Sequence, residues 1–313
     1  MISYLVSVYN KEKYVVETLQ SVINSLSEGD EIIIVNDGST DKSAEIIEKY
    51  LNNKDLNVNF INRKINKGVV YTKMEALKNA MNKYVVFVDG DDILNYSFFL
   101  QLDKTKLKKD TLFLSNIQEF CDRFPDNIEM KYNYFQYDIN KYIEELMKDD
   151  FQNSLCNKIY FKEYLFKCFE SLNNNINFAE DLYINLEYVK FINKIYKFDA
   201  ISIFYRKGIS SLTTKFSKNQ FNRIALIPFK FREKFIEDSK LSNRYFYYSL
   251  NKFTEMSYSA IKSYKTFGIK NVKINLQEYI LVIKKYNYSK YFIYLNFKNK
   301  YRCIYLLYQY FKF

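Results

Sequence analysis

"YVVFVDGDDIL" (84–94) sets an apolar run against three carboxylates, Asp89, Asp91 and Asp92. The run has the β-branched, aromatic composition of a strand buried on both faces, which is the strand type of parallel sheets covered by helices. Crowded carboxylates repel one another and desolvate badly, so the cluster costs stability unless something positive faces it. A hard divalent cation meets that need. Mg²⁺ or Mn²⁺ prefers oxygen ligands, keeps several waters, and is usually held by one or two carboxylates together with substrate phosphates. The plainer alternative is that Asp89 ends a strand, Gly90 turns the chain and Asp92 caps the next helix. For Asp92 the capping role is the expectation; for Asp89 and Asp91 both readings stay open on these residues alone.

Working outward, "SYLVSV" (3–8), "EIIIV" (31–35) and "LNVNFIN" (56–62) read as three further strands. Helical spacing separates them. "KYVVETLQSVINSL" (13–26) places Val15, Leu19, Val22, Ile23 and Leu26 on one side. "TDKSAEIIEKYL" (40–51) begins with a cap-like Thr40 or Asp41, and "GVVYTKMEALKNAM" (68–81) is a third helix. Strands alternating with crossover helices predict an α/β chain with a Rossmann-like, mostly parallel sheet flanked by helices. Such sheets take ligands beyond the carboxyl ends of their strands. There the carboxylates of 89–92 meet a second polar cluster, "VNDGSTD" (35–41), with Asp37 at the end of its strand. Farther on, "FAEDLYINLEYVKFI" (178–192) is the clearest helix. Glu180 and Asp181 lie in its first turn, where the helix dipole favours negative charge. "ISIFYR" (201–206) reads as a strand, and beyond 216 the text is helical, aromatic and basic.

Composition narrows the chemistry. The 313 residues contain no His, which excludes imidazole acids, bases, metal ligands and Ser-His or Cys-His nucleophile pairs. Cys121, Cys156, Cys168 and Cys303 form no C-x-x-C pair and read as free thiols in a reducing compartment. "MISYLVSVYN" lacks the basic and long apolar regions of a signal peptide, and no run approaches a membrane span, so a cytoplasmic protein is expected. The net charge of +11 is uneven. Residues 240–313 hold 14 Lys and Arg against 2 acidic residues, a net of +12, while 1–239 carry a net of −1. Nucleic-acid binding would use a basic face, but no RNP-like or zinc-finger pattern accompanies this one, and no nucleic-acid partner is expected. Beside 21 Tyr and Phe, the excess of Lys in 240–313 fits a surface that rests on anionic lipid headgroups. A homo-oligomer contact that buries the aromatics, or a solvated basic face, is the alternative.

"SYLVSVYN", "EIIIVNDGSTD", "NKGVVYTKMEAL" and "YVVFVDGDDIL", followed by "NKIYFKEYL" (157–165), "FAEDLYINLEYV" (178–189) and "FYRKGISSLTT" (204–214), resemble in order and spacing the family 2 glycosyltransferases of the GT-A fold. The resemblance covers roughly residues 1–215 and points to bacterial surface-polysaccharide enzymes. It implies a GT-A domain over 1–215, with a nucleotide-binding half (1–95) and an acceptor half (96–215). The basic, aromatic helical region over 216–313 is read from its composition and has no counterpart in the resemblance. It also implies a role for each matching residue. Tyr9 would stack on the nucleotide base, and Ser7 and Asp37 would hydrogen-bond the nucleoside. Lys73 would lie near the nucleotide, Asp89 would meet the ribose or the metal, and Asp91 would bind Mn²⁺ or Mg²⁺ bridging the phosphates. Asp181 would be the catalytic base. The implied reaction is inverting transfer by a hexosyltransferase from a nucleotide-diphosphate sugar, UDP-linked by default, to a glycan or lipid-linked acceptor. The basic region 240–313 adds the expectation of a cytoplasmic protein peripheral on the inner membrane face, with the oligomer contact or solvated face as its alternative. The sequence departs from the family pattern where Ser7 replaces a loop-stiffening Pro, Lys73-Met74 replaces Arg-Asn, and Asn82 replaces a Gly. A Lys loses the bidentate geometry of Arg. A sugar nucleotidyltransferase would instead carry a Gly-rich phosphate loop near the N-terminus, and residues 1–28 contain no Gly. An inactive GT-A scaffold is the other alternative, because a fold does not fix a function.

Overall fold

The computed structural model describes residues 1–52, 54–121, 132–148, 153–172, 180–207 and 297–312, with positions 254, 258, 280 and 295. The chain divides into two compact units, Met1–Ile209 and Ser210–Phe313.

The first unit opens with Ile2–Val8 (β1), Val15–Asn24 (α1), Glu31–Asp37 (β2), Ser43–Leu51 (α2), Val58–Arg63 (β3), Val69–Asn79 (α3) and Tyr84–Asp89 (β4). β1 pairs in parallel with β2 and β4, and β2 pairs in parallel with β3, giving the order β3-β2-β1-β4. Every residue of β2 is buried, as a central strand with both faces covered requires. α1 turns Val15, Leu19 and Val22 into the core, the face its spacing predicts. At the start of α2, Asp41 accepts the Ser43 amide at 2.9 Å, so of the two cap candidates Asp41 holds that turn.

The rest of this unit is mixed. It comprises Ile93–Leu94 (β5), Tyr96–Gln101 (α4), Thr111–Phe120 (β6), Tyr134–Tyr137 (β7), Ile139–Lys148 (α5), Lys158–Phe161 (β8), Lys162–Glu170 (α6), Glu180–Tyr188 (α7) and Lys194–Arg206 (β9). β8 lies antiparallel between β4 and β6, β6 runs parallel to β9, and β5 and β7 pair antiparallel with β9. The strand expected at 201–206 therefore begins earlier, at Lys194, because β6 pairs with it along its whole length through register shifts around Asn116. Asp92 also departs from expectation. It precedes β5 and is buried, and Asn95 occupies the position before α4.

Of the second unit, the helix Phe297–Lys312 (α8) is described almost whole. Asn299, Cys303 and Leu306 are buried, while Tyr301, Ile304 and Tyr308 are exposed on another side. Arg302 lies over the Tyr258 ring, 5.6 Å from its centroid. Most of the basic region expected over 216–313 lies outside the described residues. Among the described residues no helix is long and apolar enough to cross a membrane, and all four cysteines are free.

Candidate active site

Parallel pairing of β1 with β4 sets Ser7 beside Asp89 at the carboxyl end of the sheet. The Gly90 amide donates to the Ser7 carbonyl at 2.9 Å. A Cβ at Gly90 would stand 2.9 Å from that same oxygen, so the turn after β4 is built for a residue without a side chain. The Ser7 hydroxyl is buried and has no hydrogen-bond partner among the described residues. A buried orphan hydroxyl at the strand ends is a site where a ligand's polar group is welcome. Tyr9 follows with 38% of its surface exposed.

Asp37 ends β2 and is buried. It accepts the Lys67 and Gly68 amides at 2.9 and 2.8 Å and the Arg63 guanidinium at 2.9 Å. Gly68, at φ 96°, starts α3. A carboxylate has about four acceptor positions. Asp37 uses most of them to fix the loop into α3, which leaves little over for a nucleoside.

The acidic turn is clamped from the end of β9. Asp92 accepts the Arg206 amide at 3.0 Å, and Arg206 Nε donates to the Asp91 carbonyl at 3.0 Å. The same guanidinium pairs with Glu17 and lies over Phe120 and Tyr14, 4.4 and 4.8 Å from their ring centroids. The Asp91 carboxylate forms an ion pair with Lys11. Burial raises the Asp91 pKa against the pull of Lys11. Burial and the charges of Asp89 and Asp91 push Asp92 well above the usual carboxylate range.

Donor atoms of Asp89, Asp92 and Cys156 lie within 4.8 Å of one another. Burial, with Asp89 next in effect, holds the Cys156 thiol in its protonated form. That leaves the oxygens of Asp89 and Asp92, with the Asp91 carboxylate held by Lys11 in the same acidic turn, and carboxylate oxygen is the donor a hard divalent cation prefers. The residues present fit such an ion.

Across the site, α3 and α7 bring together two residues 108 positions apart, Lys73 and Asp181, at Nζ–Oδ1 3.1 Å. The structure thus places Lys73 against the expected base, buried to 2% exposure. Burial alone would lower its pKa, but Asp181, then Asp89 and Glu180, more than reverse this and keep it cationic. Glu180 is pushed up to about 7 by burial and by Asp181. Two adjacent carboxylates thereby differ: Glu180 tends to hold a proton, while Asp181 is paired with a permanent cation. Beneath them Lys158, 1% exposed, is lowered to about 7 by burial and donates to Ser154 O at 2.5 Å and Asn157 Oδ1 at 2.8 Å. Lys11, Arg63, Cys156, Lys158 and Arg206 were not legible as site residues. Lys158 and Arg206 do sit in quoted stretches, "NKIYFKEYL" and "FYRKGISSLTT", and Lys11 directly follows "SYLVSVYN".

Fold and site together define an α/β domain of the GT-A kind, with an acidic cluster at the carboxyl ends of its parallel strands. Comparison with known proteins agrees. The model of Glycosyl transferase family 2 matches residues 3–166, and the chain belongs to that family of glycosyltransferases. It is 28% identical over 211 residues to the teichoic acid poly(glycerol phosphate) polymerase of Staphylococcus epidermidis, covering 66% of this chain and 28% of that protein. It is 26% identical over 218 residues to the uncharacterized glycosyltransferase EpsJ of Bacillus subtilis, covering 68% of this chain and 63% of that protein. The chain thus spans less than two thirds of either relative. Among solved structures, S. aureus TarS 1-349 in complex with UDP-GlcNAc superposes with a TM-score of 0.56 at 22% identity, covering 82% of this chain and 72% of that one.

Proposed function

We propose that this domain transfers a sugar, with inversion, from a UDP-linked donor to a hydroxyl of a glycan or lipid-linked glycan in bacterial surface-polysaccharide synthesis. The observation that carries the reading is the meeting of sequence-distant groups at one sheet edge: Ser7, Asp89 and Asp91 on one side, the Lys73–Asp181 pair on the other. UDP as the nucleotide is supported by the likeness to TarS, which was crystallised with UDP and with UDP-GlcNAc. The names of the relatives, a teichoic acid polymerase and a poly-beta-1,6-N-acetyl-D-glucosamine synthase of Staphylococcus epidermidis, support a surface glycan as product.

In this reading Tyr9 stacks on the base, Ser7 gives the nucleoside a hydrogen-bond partner, and Asp37 shapes the loop beneath it. Asp89 and Asp91 hold Mn²⁺ or Mg²⁺, which, when bound, neutralises the charge that builds on the departing diphosphate. Asp181, ion-paired with Lys73, accepts the proton of the acceptor hydroxyl as it attacks the anomeric carbon. A single displacement of this kind inverts the configuration. The exposed Tyr301, Ile304 and Tyr308 of α8, together with the +12 of residues 240–313, support docking on an anionic membrane at the cytoplasmic face, where a lipid-linked acceptor lies.

A thermal-shift panel of nucleoside diphosphates and UDP-sugars with and without Mn²⁺ tests the reading. A ligand that binds the native state raises the melting temperature by mass action. UDP and one UDP-sugar should do so, and more strongly with Mn²⁺. No shift with any nucleotide would overturn the proposal.

A further inference from the structure

We propose that Lys11 is a tethered counter-cation for Asp91 that makes metal entry depend on the diphosphate, an inference that rests on reading Asp89 and Asp91 as the metal–diphosphate site. The loop that carries Lys11 is unusually well tied down. Asn10 takes a left-handed backbone at φ 53°, and its amide donates to Ser39 Oγ at 2.9 Å. The Thr40 amide returns a bond to Asn10 Oδ1 at 2.8 Å, and the Lys11 amide donates to Ser43 Oγ at 2.8 Å. Glu12 and the stretch Asp41–Lys42 exchange two more, at 3.1 and 3.0 Å. These bonds join the loop after β1 to the loop after β2. They set the Lys11 backbone in place, and its side chain then reaches the Asp91 carboxylate 80 residues away.

Lys11 and Asp91 side chains are only 18% and 15% exposed, so this is a largely dehydrated ion pair rather than a mobile surface contact. It also answers the local charge problem without an ion. Three carboxylates crowd residues 89–92, Lys73 is committed to Asp181, and Arg206 meets the Asp91 main chain rather than its carboxylate. Lys11 holds Asp91 Oδ2, one of the oxygens a divalent ion needs, and its own charge repels that ion. A Lys is a compact point charge on a flexible stem. An incoming diphosphate offers it an alternative anion, freeing Asp91 for the metal. Metal alone then binds weakly, metal and diphosphate favour each other, and the coupling is reciprocal.

The test is Mn²⁺ binding to the full chain, read by electron paramagnetic resonance, for wild type, Lys11→Met and Lys11→Arg, with and without UDP. Without nucleotide, Lys11→Met should bind Mn²⁺ about tenfold more tightly than wild type, within the usual range of coupling between sites. The favourable effect of UDP on Mn²⁺ should shrink in Lys11→Met and persist in Lys11→Arg. Lys11→Met binding Mn²⁺ no more tightly than wild type overturns the proposal. So does an equal change in both variants, which would mean that the residue shapes the loop and not the charge. The nucleotide-free arm does not depend on UDP being the right nucleotide. Absence of Mn²⁺ binding in every arm overturns the metal reading itself, and this inference with it.

Discussion

Replacing Asp181 with Asn should destabilise the domain and stop turnover, and the two effects come from different physics. The carboxylate lies 3.1 Å from the Lys73 ammonium, with the side chains 28% and 3% exposed. At that separation and an effective dielectric of about 20, the gross attraction is about 5 kcal/mol. Removing one member of a buried pair costs about 3–5 kcal/mol because the other charge stays buried without compensation. Asp181 is partly wetted and Asn keeps an oxygen for Lys73, so the expected loss is at the low end, about 2–3 kcal/mol. Because the folded pKa of Lys73 is raised, the pair's contribution is fully present below the ordinary Lys value and is lost only as pH rises through the raised one. The loss should therefore be constant across neutral pH. The double variant Lys73→Met/Asp181→Asn removes the stranded charge and should recover most of the stability. Urea unfolding followed by far-UV circular dichroism measures all three proteins; the chain has no Trp to serve as a fluorescent reporter. Turnover should fall about 10²–10⁴-fold in Asp181→Asn with donor binding retained, as for loss of a general base. A single variant as stable as wild type, or a double variant no more stable than Asp181→Asn, refutes the pairing argument. Donor binding lost together with turnover refutes the assignment of the base.

Lys158→Met should flatten the pH dependence of stability. The folded pKa of Lys158 is about 7 against an ordinary 10.5, so the unfolded state binds more protons above pH 7 and stability rises with pH there. This rise is about 2 kcal/mol between about pH 7 and 9, read by urea unfolding at several pH values, and parallel profiles for wild type and variant contradict it. Asp91→Asn should abolish metal-dependent transfer while leaving the far-UV spectrum unchanged; full transfer by the variant, or by wild type in excess EDTA, removes the metal assignment. The full chain should sediment with anionic vesicles at low salt and be released at high salt, since exposed charges are screened beyond a Debye length of about 10 Å at 0.1 M. Equal binding to neutral vesicles, or none to anionic ones, would count against charge-driven docking of the basic region.

The parallel half of the domain could be read from the sequence because its signals are local. Val15, Leu19 and Val22 repeat at helical spacing, and the run 31–35 has the composition of a strand covered on both sides, as β2 is. Gly90 between Asp89 and Asp91 already marked a tight turn at the end of a strand. Charge pairing carries no such period. Lys73 finds Asp181 across 108 residues, Lys11 finds Asp91 across 80, and Arg206 reaches the Asp91 carbonyl across 115. Likewise no local signal says that β8 inserts between β4 and β6, because that order depends on edges made available only when the sheet assembles. The sequence by itself determined which residues could carry acid, base and metal-binding chemistry, through the absence of His and the placing of Asp37, Asp89, Asp91 and Asp181. Tertiary structure alone decided which carboxylates meet a cation and which are buried against like charge, because burial and Coulomb energy depend on distance in space and not on distance along the chain.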